Sequence, residues 1–209
     1  MCPWFDAYSL DGIHERQDLQ IDGLKESVSH IMNTLKNEID ILGGKTSHVC
    51  LGGISQWMTT ALWTLFCAAD QIRQPVGGCP GFCGWLPFAK QVKNLVQRSQ
   101  KSNALDKQLI QRLVADSFHR TISDCELSQV NETVDIPILT TPVFLSHGSD
   151  DARVSVDLGR QAARVLQQTH MSVQRHEFSG AEGDGHWIKE PEGFDQTINS
   201  LREATTTLS

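Results

Sequence analysis

The chain has 209 residues, enough for one domain with a full core, and its net charge of −7, with 18 Lys and Arg scattered among 25 Asp and Glu, excludes a phosphate-binding surface for nucleic acid. No run reaches the apolar length of a membrane span, and the N-terminus MCPWFDAYSLDG lacks the basic and apolar regions of a leader, so a soluble, cytoplasmic protein is expected. The six cysteines are too few and too irregular for a disulfide scaffold, and Cys79 and Cys83 are followed by no second pair at zinc spacing, so neither metal nor other cofactor is expected.

From about Arg16 to Leu42, Leu19, Leu24, Val28, Ile31, Leu35, Ile39 and Leu42 recur every three to five residues, predicting one amphipathic helix that Gly43-Gly44 ends. His48 to Leu51 is the expected first strand. Gly52-Gly53 then leads to Ser55, and a helix follows at once through Leu62, Leu65 and Phe66. A strand, a glycine turn, a serine and an immediate helix form the layout of a nucleophile elbow. Taken alone, Ser55 reads more readily as a helix cap in a strand-to-helix turn. Phe82 to Leu86 reads as a short buried strand stopped by Pro87. The alternation lapses over residues 89–141, which read as an insertion or lid with one helical segment, Leu105 to Phe118.

Pro137 and Pro142 restart the sheet with Val143 to Leu145, in a β-rich run reaching His147. Val154 to Gln168 is then helical, Val173 to Phe178 a strand, and Phe194 to Leu201 the core of a last helix. This α/β alternation predicts a single domain, residues 1–209, built on a mostly parallel sheet with helices on both faces. There is no internal repeat.

A serine hydroxyl attacks only when a base takes its proton, and the chain supplies candidates in the order Ser, Asp, His. Asp150 and Asp151 follow His147-Gly148-Ser149, and turn chemistry alone leaves both open as the acid or as turn formers. His186 stands in the Gly-rich GDGHW segment, as a mobile catalytic histidine would, or as a loop histidine stacked by Trp187. Lys45-Thr46 fails as a phosphate loop, because Ile39 replaces the first glycine and the segment joins helix to strand. The other histidines, 14, 30, 48, 119, 147, 170 and 176, share no metal spacing and read as surface or satisfied core. Asn131-Glu132-Thr133 matches a glycosylation sequon and reads as loop.

The segments PWFDAYSL, LGGISQ, GWLPF, LSHGSDDARVSVDLG and GDGHW, in that order, resemble the phospholipase/carboxylesterase family of α/β-hydrolases, in particular acyl-protein thioesterases of fungal type. The resemblance implies an α/β-hydrolase fold lacking the first strands, with Ser55 as nucleophile, Asp151 as triad acid and His186 as base. It also implies that the Gln56 N–H serves the oxyanion hole and that Trp85 and Leu86 border an acyl groove. The reaction implied is cofactor-free hydrolysis of a carboxylic ester or thioester, S-acylated protein among the substrates.

Two departures from the family pattern bear on activity. The second glycine of GxSxG is Trp57 here, and an indole on the first helical turn is expected to displace something; shifting Ser55 by an ångström would cost about 100-fold in rate. WFD begins at Trp4, whereas family members carry earlier strands and an HGxGD-type loop that gives the second oxyanion donor, a loss of about 10²- to 10³-fold. Without those strands a sheet edge is expected to be uncovered and open to self-association. The alternative to an active hydrolase is therefore a catalytically impaired pseudoenzyme or binding domain.

Overall fold

Residues 5–13, 15–69, 71–101, 114 and 136–208 are described by a computed structural model of the chain; the expected helix Leu105–Phe118, apart from Val114, and the sequon at Asn131 lie outside them. Helix α1, Gln20–Ile41, follows a short 3₁₀ turn, Gln17–Leu19. It buries Leu24, Val28, Met32 and Leu35, one side chain per turn. The helix ends because Gly43 and Gly44 take left-handed backbone, φ 66° and 82°, and the Gly44 N–H reaches back to the Ile39 carbonyl at 2.8 Å.

Four strands follow, β1 (Gly53–Ile54), β2 (Cys79–Phe82), β3 (Val143–Gly148) and β4 (Val173–Phe178), paired in that order and all parallel. Between and after them run α2 (Gln56–Cys67), α3 (Ala89–Lys101), α4 (Val156–Gln168) and α5 (Glu192–Leu208). Strand alternation assigns the faces. On one face a Cβ at Gly81 would meet Met58 of α2 and Leu145, and His147 lies against Gly159 of α4. On the other, a Cβ at Gly78 would meet Phe144 and Leu201 of α5. The α2 face holds most of the core, and α2 is buried from Met58 to Cys67 because α1 covers the side turned away from the sheet.

Three boundaries differ from the expected ones. His48 ends a 3₁₀ turn, Thr46–His48, and the first extended stretch is an isolated pairing of Cys50 with Gly78 before β1 begins at Gly53. The gap falls at Gly52, which lies against Pro80; proline has no N–H to give the ladder, and only glycine allows such close approach to its carbonyl. The same Pro80 disguises β2, which occupies Cys79–Phe82, whereas Cys83 to Leu86 leaves the sheet through a left-handed Cys83, φ 48°. Third, residues 89–101, expected to be irregular, form α3, whose buried Ala89, Val92 and Val96 recur at helical spacing on an otherwise polar segment. No described helix is long and apolar enough to cross a membrane.

Candidate active site

The C-terminal ends of the parallel strands converge, the usual place for a site in an open α/β sheet. Ser55 follows β1 directly, with φ 57° and ψ −123°, backbone that a serine adopts only where its surroundings hold it there. Its N–H donates to the Phe82 carbonyl at 2.8 Å, the last bond between β1 and β2. Glycines do the rest. A Cβ on Gly84 would come within 2.9 Å of the Ser55 carbonyl and 2.6 Å of Met58 Sδ, and one on Gly53 would collide with Trp57 Cβ. Helix α2 therefore starts against bare backbone, and Gln56, its first residue, lies where a backbone N–H points out of the helix start. The Gln56 carboxamide donates to the Phe5 carbonyl at 3.0 Å, tying the N-terminal segment to α2.

Trp57 stands on the first turn of α2. Its Cβ occupies the space that Gly53 leaves, α2 runs uninterrupted from Gln56, and the indole is 47% exposed. Trp85 and Leu86 pack inward. Expected at a groove, both are in the hydrophobic core, with the Trp85 ring edge-on to Phe5 at 6.0 Å and the Trp85 carbonyl accepting from Thr59 Oγ1 at 2.9 Å.

Asp151 and His186 come together from the loops after β3 and β4. His186 Nδ1 donates to Asp151 Oδ2 at 2.8 Å, while Asp151 Oδ1 accepts from the Arg153 and Val154 amides at 2.8 and 2.9 Å. The Asp151 side chain is fully buried. Burial pushes its pKa up, but the Val154 N–H, His186 and the Arg153 N–H together outweigh that and hold the carboxyl below its ordinary range. Asp150, the rival acid, instead accepts from the Gly180 N–H at 2.7 Å. The two loops are pressed together at Gly148 and Gly185, where a Cβ on Gly185 would lie 2.7 Å from the Asp150 carbonyl. The Ala152 N–H donates across to Asp184 at 3.0 Å.

A third group on Asp151 escaped the sequence. His147, 3% exposed, donates from Nε2 to the Val154 carbonyl at 2.9 Å and stands 3.2 Å from Asp151 Oδ2. Burial lowers its pKa, opposed by the Val154 carbonyl and Asp151, so it is neutral at physiological pH. The available signal was the spacing His147-x-x-x-Asp151, legible only once β3 is known to run through Gly148.

Cys83, Asp151 and His186 offer a thiol, a carboxylate and an imidazole within 4.8 Å of one another, a donor set that a divalent metal could use. Each donor is already engaged: the thiol faces the Gly185 and Trp187 carbonyls at 3.8 and 3.7 Å, and burial pushes its pKa up to about 12. The group reads as a hydrogen-bonded cluster around a protonated thiol. Among the described residues Ser55 Oγ forms no hydrogen bond to His186, whose Nδ1 bonds Asp151. Surface cavities of about 450 Å³ beside Lys36 and Arg73 and about 300 Å³ beside Lys90 and Arg164 lie away from this cluster.

No family model matches the chain. Among curated proteins it is similar to acyl-protein thioesterase 1 of Saccharomyces cerevisiae, 26% identical over 89% of this chain and 62% of the relative. It is similar also to the Candida albicans protein of that name, 21% identical over 93% and 66%, and to that of Debaryomyces hansenii, 22% over 85% and 58%. The chain thus spans about three-fifths of the length of these relatives. Among solved structures, esterase PE8 superposes with a TM-score of 0.62 at 19% identity, covering 96% of this chain and 69% of that one. Zea mays acyl-protein thioesterase 2 gives 0.60 at 23%, covering 97% and 72%.

Proposed function

We propose that the chain is an acyl-protein thioesterase-like α/β-hydrolase that hydrolyses carboxylic esters or thioesters through Ser55, His186 and Asp151. The observation that carries this reading is the 2.8 Å bond from His186 Nδ1 to Asp151, formed at the same sheet edge as the strained Ser55. With its Nδ1 proton committed to Asp151, the imidazole leaves Nε2 as the acceptor for the Ser55 proton. Ser55 Oγ then bonds to the acyl carbon, and His186 returns the proton to the departing thiolate or alkoxide. Water repeats the sequence on the acyl-enzyme. The Gln56 N–H is one donor to the oxyanion. The names of the relatives favour an acyl thioester on a protein as the substrate class.

One observation favours a non-catalytic reading, a domain that keeps the fold for binding: Ser55 Oγ has no hydrogen bond to His186. Fluorophosphonate labelling separates the two. Intact mass and peptide mapping of the folded chain are expected to show one adduct on Ser55, absent from Ser55→Ala. A monodisperse folded chain that takes no label would leave the binding reading in possession.

A further inference from the structure

The triad acid of this reading is held by more than its partner histidine. Asp151 Oδ2 is approached by two imidazoles, His186 Nδ1 at 2.8 Å and His147 Nε2 at 3.2 Å, and both side chains of the second contact are sequestered from solvent. One nitrogen of the His147 ring is closed off by packing. Its Nδ1 lies against the Cα of Gly159 in α4, so closely that any Cβ there would collide with it, and Nδ1 has no acceptor among the described residues. A neutral ring with one proton must therefore carry it on Nε2, the nitrogen that faces the Val154 carbonyl and Asp151. That N–H is shared between the two acceptors. The Val154 amide, in the same residue as that carbonyl, also donates to Asp151 Oδ1, as does the Arg153 amide, so His147 and residues 153–154 hold the carboxylate beside His186.

Resting on the hydrolase reading, we propose that His147, seated in the recess left by Gly159, is a positioning residue: its Nε2–H fixes Asp151 Oδ2 and shares that oxygen's charge, setting the orientation of His186 and the strength of its bond to Asp151. Gly159 is part of the same device, since it is the missing side chain that lets the ring reach Asp151. The titratable groups facing the pair are His147 from β3, Cys83 after β2 and Asp150 beside Asp151.

Wild type, His147→Leu, His147→Gln and Gly159→Ala are to be compared by rate of fluorophosphonate labelling at Ser55 and by the NMR resonance of the His186 Nδ1 proton, which needs no turnover. Leu fills the space without a donor; Gln returns an N–H near the Nε2 position. His147→Leu is expected to slow labelling roughly tenfold, less than the about 100-fold of an ångström misplacement, and to move the Nδ1 proton downfield as Asp151 becomes a stronger acceptor. His147→Gln is expected to recover most of both. Gly159→Ala, which by propensity alone favours a helix, is expected to reproduce the Leu phenotype, and adding it to His147→Leu to change nothing further. An Nδ1 resonance unmoved in His147→Leu, with labelling falling only as thermal stability falls, would overturn the proposal and leave His147 a core residue. Wild type that takes no label would overturn the hydrolase reading alone, because the resonance still reports whether His147 acts on the Asp151–His186 pair.

Discussion

The nucleophile side and the acid–base side of the site are built by opposite means. Ser55 is held by shape: positive φ, a single backbone bond to Phe82, and three glycines, 53, 81 and 84, that let α2 sit on bare backbone. Asp151 is held by polar satisfaction: two amides, His186 and His147 surround a side chain sealed from water. The lesson is that a steric elbow tolerates changes of polarity and fails on added volume, whereas a buried carboxylate tolerates small changes of volume and fails on a lost donor.

The largest break is expected on the polar side. Asp151→Asn keeps the volume but presents an amide where the Arg153 and Val154 N–H groups and two imidazoles require an acceptor, and is expected to lower kcat about 10⁴-fold with an unchanged fold, checked by esterase assay and circular dichroism. On the steric side, Gly53→Ala is expected to cost about 1–3 kcal/mol of stability in urea unfolding, because the new methyl collides with Trp57 Cβ. Adding Trp57→Gly should return much of that loss, a coupling that a double-mutant cycle reads directly. No coupling would mean that the elbow is not closed by this contact.

Acid titration sharpens the contrast further. His147 is buried neutral with a lowered pKa, so its contribution is complete above the unfolded value of about 6.5 and is lost as pH falls from there through its folded value. Asp151, also lowered, contributes above its ordinary 3.8 and loses that contribution below it. Unfolding free energy is therefore expected to fall in two acid windows, the first of them absent from His147→Gln. The smallest effect belongs to the surface. Glu177 of β4 takes a two-point bond from Arg160 of α4, at 2.7 and 2.8 Å, and is also bonded by Arg175. Arg160, then Arg175, lower its pKa to about 2, so its modest contribution is present above about 4.5 and fades toward pH 2. Glu177→Gln is expected to lower Tm slightly at pH 7 and not at all at pH 2, leaving labelling of Ser55 unchanged.

How much of this was legible in the sequence differs between the two sides. The elbow is local: Gly53, Ser55 and the helix after it are contiguous, so a pattern of residues announces them, and α1, α4, β4 and the last helix are likewise carried by periodicity and glycine stops. The strands around Pro80 were misplaced because a proline inside a parallel strand reads as a break, and α3 was missed because its polar face outweighs three apolar positions. Asp151 could be chosen over Asp150 only through resemblance, since both suit a turn. Their separate partners, His186 for one and the Gly180 amide for the other, lie some 30 residues away in the chain.

The sequence by itself determined the alternation of elements, the parallel sheet, the elbow and the order of the three candidate residues, because each is written in short-range spacing that the chain obeys locally. Only the tertiary structure decided which aspartate meets His186, that Trp85 and Leu86 belong to the core, that Trp57 fits over Gly53, and that His147 closes on Asp151 from the recess at Gly159. Those outcomes depend on which distant surfaces touch, and contact between buried polar groups is fixed by packing and hydrogen-bond satisfaction rather than by neighbours along the chain.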